Sequence, residues 1–499
     1  MTDASVSEPP ASTPTQHLGE RRLTTLHAIG QSLAIGPIFS AGVLSGLIAG
    51  AAGFNTPLSV LLGMIGALGL AYVVSVFARR YTGAGAIYEY LVRGASPDVG
   101  VLGAGIYSLG LIFLGGGGGF IAIGFLTQGF CAAHLTALDG VPWWVWGAIG
   151  LAIATGLNHF GVRIAVRGVL VLAGLSSIPF IVMAIAIIVQ GGDSGNTLSV
   201  FDPSQTSWNS VFNGILFAVT LFIGFEAAAS IGEETQNPKR SIPIAVLGCV
   251  AISGAFYLLV TYAATVGFGA QHIGDWPPNP SPMGALAQRY VGSGLSTIVD
   301  LVIIFDAMSV MIAFTVAASR VLFALGRDGL LPRGLRSTTA RNTPLGGNVV
   351  VVVAGVAFLL FAGLTNLGGA VKLPDEIEAF TITAGAGSFL IELVYFMLAV
   401  TALRIVWRMG GGLWWRIPVV ILGGAAPVLA YKGSLDPWPS YPNSLGIILA
   451  FVCMGVSVVW WAIVRARHPD RIRQAAAYAE AHHDVPPLDE TLDYRPQEA

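Results

Sequence analysis

FIGFEAAASIGEETQNPKR, residues 222–240, begins inside a long apolar run and yet carries Glu226 two residues after Gly224. A carboxylate at the centre of a bilayer costs about 2.5–3.5 kcal/mol on insertion scales. Glycine is in addition a weak helix former. A helix that places both at one depth is expected to come open there and face water.

The rest of the chain shares the apolar character of this stretch. Of its 499 residues 54% are hydrophobic and 10% charged, with a mean hydropathy of +0.73. An ordinary soluble domain has about 25% charged residues, and so few charges cannot cover a soluble surface of this size. Apolar runs of 18 or more residues recur along the sequence, which predicts an all-α polytopic membrane protein. The net charge of -2, without a basic stripe, gives no footing for nucleic acid. Cys131, Cys249 and Cys453 each lie in an apolar run with no CxxC spacing, so they read as buried free thiols.

Twelve transmembrane spans are expected, at about 26–52, 57–80, 99–135, 142–160, 167–190, 209–232, 242–269, 295–326, 348–366, 378–404, 414–431 and 443–464. With both termini in the cytoplasm, all of the 25 Lys and Arg residues except Arg289, Lys372 and Lys432 fall on the inside. That asymmetry is the positive-inside pattern, and one helix more or fewer would scramble it. Residues 1–22 read as a disordered cytoplasmic tail, 23–466 as one transmembrane domain, and 467–499 as a second cytoplasmic tail. Residues 81–98 are apolar but too short to span and predict a cytoplasmic half-helix. Residues 271–294 predict an amphipathic segment on the outer face. The Trp pairs at 143–144, 414–415 and 460–461 suit interfacial anchoring.

A second weak point lies in the first span, SLAIGPIFSAG (32–42), where Pro37 follows Gly36. Proline lacks an N–H and pushes the preceding residue away from helical geometry. In hydrocarbon, a break is tolerated only where it lines a cavity or is covered by protein. Spans one and six occupy equivalent places if helices 1–5 and 6–10 form an inverted repeat. Paired interruptions of that kind point to a transport site near the midplane. The plain alternative is an unbroken helix that merely contains glycine.

Four motifs then carry a resemblance. IGPIF (35–39) is similar to the IGxGIF signature of the amino acid–polyamine–organocation (APC) permeases. GFE followed by EETQNPKRSIPIAV resembles their GxE…E…NPxRxIPxAI signature. SRVLFALGRDGLLP (319–332) and TGAGAIYEYLVR (82–93) resemble two more, all four in family order over residues 35–332. The resemblance implies a LeuT-like five-plus-five inverted repeat with broken helices 1 and 6, and alternating access. It implies that a substrate α-carboxylate meets backbone amides around Ile35, Gly36, Pro37 and Ile38, and that the amino group faces carbonyls around Phe222, Ile223, Gly224 and Phe225. Pro37 stands where most of that family have glycine, and so removes one donor.

Glu226, Asp306 and Glu392 lie within spans, with Asp300 nearer an end, and no Lys or Arg is expected at their depth. They are therefore protonated, hydrated, or paired with a cation, which tilts the substrate or coupling ion toward positive charge. In the family the counterpart of Glu226 gates and can sense protons. Ser176 and Ser177, with Ser309 and Thr315, offer an oxygen set for sodium, although such hydroxyls also bond back to their own helices. GGGGG (115–119), including Gly115, permits close helix packing or widens a cavity. Glu233 and Glu234 read as gating partners of basic loop residues, or as ordinary solvated charges.

Together these readings predict a plasma-membrane permease for an amino acid or related amine, most simply a proton symporter. An ion-free amino acid/polyamine exchanger, a sodium symporter and, least simply, a channel stand as alternatives. No GxxxxGK[ST], HExxH or GxSxG occurs, so neither a nucleotide-driven pump nor an enzyme is expected, and no cofactor or metal.

Overall fold

Backbone amides in hydrocarbon have no water to bond, so a chain this apolar folds as helices. A computed structural model describes residues 21–33, 36–81, 83, 85–193, 195–277, 279, 281–364, 375–409 and 414–473. Among them the only β pairing is two isolated bridges, Leu23 with Thr235 and Thr338 with Pro344.

The chain opens with α1 (Thr25–Ser32), α2 (Pro37–Phe39) and, after a π-helical turn over Ser40–Leu44, α3 (Ser45–Ala52). Gly53, at φ 55°, turns the chain into α4 (Thr56–Ala78). The short α5 (Ile87–Gly94) fills the segment where a half-helix is expected. Next come α6 (Pro97–Leu111), a π-helical stretch Ile112–Gly118, α7 (Gly119–His134), α8 (Trp143–Phe160) and α9 (Val162–Gln190). α10 (Trp208–Thr220) gives way to a 3₁₀ segment, Phe225–Glu234, and α11 (Pro238–Phe268) follows. The remainder is α12 (Pro282–Tyr290), α13 (Ser293–Arg327), α14 (Leu345–Leu364), α15 (Asp375–Met409), α16 (Arg416–Leu435) and α17 (Asn443–Arg467).

Ten described stretches are long and apolar enough to cross a membrane, so this is a multi-pass membrane protein. Two differences separate that number from the twelve expected spans. Thr25–Ala78 forms a single 54-residue stretch; as one helix it would be about 80 Å long, against a hydrocarbon core of about 30 Å. α8, where the fourth span is expected, is not among the ten.

α13 is the central post. Most of its side chains from Val299 to Gly326 are buried, and it packs against α2, the π stretch of 112–118, α7, α8, α9 and the 3₁₀ segment. α16 and α17 are the least buried of the ten stretches, and Trp407 near the end of α15 and Trp414 and Trp415 just before α16 are exposed. α12 buries Met283, Leu286 and Ala287, and the preceding Trp276 is fully buried against Phe268. The three cysteines are free and buried.

Candidate functional site

The site grows from the two places where regular helix stops. α1 ends at Ser32, the Gly36 amide donates to the Leu33 carbonyl (2.9 Å), and helix resumes at Pro37. Gly36 takes φ 56°, ψ 74°, a left-handed conformation that glycine accepts without a Cβ penalty. A Cβ there would meet Val310 Cγ2 at 1.9 Å. The first turn of a helix leaves its amides without intrahelical partners. Here Pro37 has none to offer, and those of Ile38 and Phe39 both donate to Oδ2 of Asp306, at 2.9 and 2.8 Å. Asp306, in mid-α13, is 0% exposed. Ile35 lies outside the described residues.

The second interruption follows Thr220. Leu221 to Gly224 form a turn, and Gly224 takes φ 110°, ψ -8° before the 3₁₀ segment begins at Phe225. Glu226, 1% exposed, holds this turn in place. Its Oε2 accepts from the Gly224 amide (3.1 Å) and the Tyr395 hydroxyl (2.5 Å), and its Oε1 from the Tyr107 hydroxyl (3.1 Å). Tyr257 donates to the Leu221 carbonyl (3.0 Å). Glu392, 2% exposed on α15, accepts from the Thr220 hydroxyl. The two interruptions are also tied together: the Ser32 hydroxyl donates to the Phe225 carbonyl (2.8 Å), and the Cys249 thiol to the Ser32 carbonyl (3.2 Å).

Between them lies a cavity of about 70 Å³, lined by residues of α2, the adjoining π turn, α7, α10, α13 and α15. Its wall includes Phe39, Ser40, Leu44, Thr220 and Ile223 from the interruptions, and Val310, Met311 and Phe314 from α13. Phe380, Ala384 and Ser388 close it from α15. Of the residues singled out from sequence, Ile223 lines this space directly. Gly36, Pro37 and Ile38 precede Phe39 in the wall. Asp306 stands one turn before Val310, and Glu392 reaches the wall through Thr220. Gly115 lies behind the wall, where a Cβ would come within 2.8 Å of Phe314. In the glycine run it is Gly119 that faces the cavity, and a Cβ there would strike Met311 Sδ at 1.8 Å. Met311, Phe314, Phe380 and Ser388 carry no motif that sets them apart from other apolar helix residues, and reading the sequence missed them.

Ser176 is buried on α9 and does not line the cavity. The Ser177 and Ser309 hydroxyls donate to carbonyls of their own helices, Gly174 (2.8 Å) and Phe305 (3.1 Å). Among the described residues no cluster of three His, Cys, Asp or Glu side chains could hold a metal.

A separate set of charges closes the end of the bundle that carries α5 and the end of α13. Arg320, 0% exposed, donates through Nε to Glu234 (2.9 Å) and through Nη1 to the Val316 carbonyl (3.2 Å) and Asn158 (3.4 Å). Arg327 pairs with Glu233 (2.9 Å), Asp328 (3.3 Å) and Glu89 (3.5 Å), and Tyr88 donates to Asp328 (2.8 Å). Glu233 pairs with Arg327, just beyond the expected end of the eighth span at 326, whereas for Glu234 the expectation of a loop partner is corrected: it pairs with Arg320, a buried arginine within that span. Leu23 adds a backbone bridge, its amide donating to the Glu234 carbonyl (2.9 Å) and its carbonyl accepting from Gln236 (2.7 Å). Burial pushes the Glu89 carboxyl up to about 7 against the opposing pull of Arg327, and burial raises Asp328 as well.

A multi-pass α-helical membrane protein with two interrupted helices bordering an internal cavity has the build of a membrane transporter. Residues 23–466 match the amino acid permease family, and the chain belongs to that family. It is 30% identical over 164 residues to the branched-chain amino acid permease BcaP of Lactococcus lactis, covering 32% of this chain and 34% of that protein. It is 32% identical over 183 residues to the methylthioribose transporter of Bacillus subtilis, covering 34% and 36%. These two matches span about a third of each relative's length. A longer match, 24% identical over 347 residues, covers 66% of this chain and 73% of the low-affinity putrescine importer PlaP of Escherichia coli. The fold is shared with MhsT, solved in complex with L-phenylalanine, at a TM-score of 0.55 and 18% identity over 83% of this chain and 98% of that one. The family and these relatives are transporters, not enzymes.

Proposed function

We propose that this chain is a secondary transporter for an amino acid or related amine, working by alternating access around the cavity between its interrupted helices. In this reading the 54-residue first stretch makes two passes at Gly53 and α8 makes another, giving twelve. Helices 1–5 and 6–10 then form a five-plus-five inverted repeat of LeuT type. Both termini face the cytoplasm of a plasma membrane, and the network of Arg320, Arg327, Glu233 and Glu234 is the closed inner gate.

The observation that carries the reading is the junction of the two interruptions. Two spans lose helical continuity beside one cavity, and the Ser32 hydroxyl bonds one break to the other. The relatives are a branched-chain amino acid permease, a methylthioribose transporter and a putrescine importer, which supports a small organic substrate. Proton coupling is supported by Glu226 and Glu392, two buried carboxyls whose partners are hydroxyls and an amide. A potential of 100 mV supplies about 2.3 kcal/mol per proton, or about fifty-fold accumulation of a neutral substrate. Sodium coupling is the weaker choice, since none of Ser176, Ser177, Ser309 and Thr315 lines the cavity.

The test is uptake of labelled amino acids and amines into proteoliposomes under an imposed proton gradient, a sodium gradient, or counterflow alone. Saturable uptake that follows the proton gradient is expected. Counterflow without any gradient dependence would favour an exchanger, and single-channel currents would end the reading.

A further inference from the structure

If a substrate carboxylate is to be held by the amides of the first interruption, those amides must be free, and among the described residues those from Gly36 to Phe39 are not. Gly36 donates to Leu33, Pro37 has no N–H, and Ile38 and Phe39 both donate to Asp306. Among the described residues of the break, no amide from Gly36 to Phe39 is left for a ligand. The helix start that favours an anion already holds one, and it belongs to the protein.

The second observation concerns the other oxygen. Asp306 is wholly buried, and its Oδ1 has no hydrogen-bond partner among the described residues. The cavity wall beside it contains no Lys, Arg or His. Buried Glu226 and Glu392 stand around the same interruptions, whereas the buried guanidinium of Arg320 is engaged by Glu234. The wall is mostly apolar, with Leu44, Leu114, Val310, Met311 and the rings of Phe39, Phe314 and Phe380, and its polar side chains are the hydroxyls of Ser40, Thr220 and Ser388. Apolar side chains recognise a hydrocarbon body, and aromatic faces attract a cation. An additional carboxylate would find no free amide from Gly36 to Phe39 and no positive charge in the wall, and would enter a low-dielectric site already bordered by buried acids.

We infer that Asp306 takes the place of the substrate carboxylate and so sets the substrate class: an amine with an apolar body and no free carboxyl group, in preference to an α-amino acid. This rests on the transport reading above and narrows it. Asp306 is then a specificity-determining residue, acting by filling the amide pair and by presenting its second oxygen toward an ammonium group.

The experiment compares ligands that differ only at the carboxyl. Thermal shift of the purified full-length protein and proteoliposome uptake are measured with phenethylamine, L-phenylalaninamide and L-phenylalanine, and with isoamylamine beside L-leucine. The amines and the amide are expected to bind at least about tenfold more tightly than the free amino acids. In Asp306→Asn, whose side-chain carbonyl can still accept from Ile38 and Phe39, amine affinity should fall about tenfold and the gap should close. Free amino acids binding as tightly as their decarboxylated counterparts, or an unchanged gap in Asp306→Asn, would overturn the inference. The transport reading survives if amino acids are taken up. Failure of every probe to bind or be taken up would defeat both.

Discussion

Arg320 and Glu234 offer the sharpest perturbation, because both side chains are out of water and each is the other's main partner. Nε and Nη2 of Arg320 reach the two carboxylate oxygens at 2.9 and 3.3 Å, a two-pronged pairing. Removing one member of such a pair leaves a buried charge uncompensated, at a cost of about 3–5 kcal/mol. Arg320→Met strands Glu234, which pairs with no second cation among the described residues. Glu234→Gln should sit at the lower end of the range, since Arg320 keeps the Val316 carbonyl at 3.2 Å and Asn158 at 3.4 Å. The double variant Arg320→Met/Glu234→Met removes both charges together and should recover at least about 2 kcal/mol relative to the sum of the singles, because an apolar replacement of a whole buried pair is often neutral. Unfolding in detergent by denaturant, read for all four proteins, closes the cycle. A double variant that costs the plain sum of the singles, within about 0.5 kcal/mol, would refute the claim that burial makes this pair a unit.

Gly36→Ala should cost at least about 2 kcal/mol, combining left-handed strain of about 1–2 kcal/mol with the 1.9 Å clash against Val310 Cγ2. Adding Val310→Ala removes that methyl and should restore part of the loss in thermal stability; no restoration would place the strain elsewhere. Glu226→Gln should stay within about 2 kcal/mol of wild type while abolishing pH-dependent uptake, because both tyrosine hydroxyls can rotate to suit an amide. Glu226→Ala should lose more, since each stranded buried group costs about 1–3 kcal/mol. Wild-type pH dependence of uptake in the glutamine variant would remove Glu226 from proton coupling. Glu89 has a folded pKa raised from 4.5 to about 7. Its contribution is therefore full below pH 4.5 and is lost as pH rises through 7, by at most about 1.4 kcal/mol per pH unit. Melting curves from pH 5 to 8 should fall with pH in the wild type and fall less steeply in Glu89→Gln, with Asp328 supplying the remainder. Equal slopes in the two proteins would show that Glu89 is not the titrating group.

Local chemistry is what the sequence by itself determined. Hydropathy implied a multi-pass helical protein because lipid leaves the backbone no other choice, and four ordered motifs led to the family. Gly36–Pro37 and Gly224 were legible as weak points because proline and glycine act on their own backbone, whatever surrounds them. The candidate site was legible only in part. The partner of Ile38 and Phe39 is Asp306, 268 and 267 positions away, and Arg320 lies 86 positions from Glu234. Such pairings depend on which face of α13 turns inward, and a helix that is apolar all round carries no periodic signal of that face. For the same reason Gly119, and not Gly115, came to line the cavity. The tertiary structure alone decided that the amides opened by Pro37 are closed by a carboxylate from another helix, because only packing brings a buried acid within hydrogen-bond reach of a helix start.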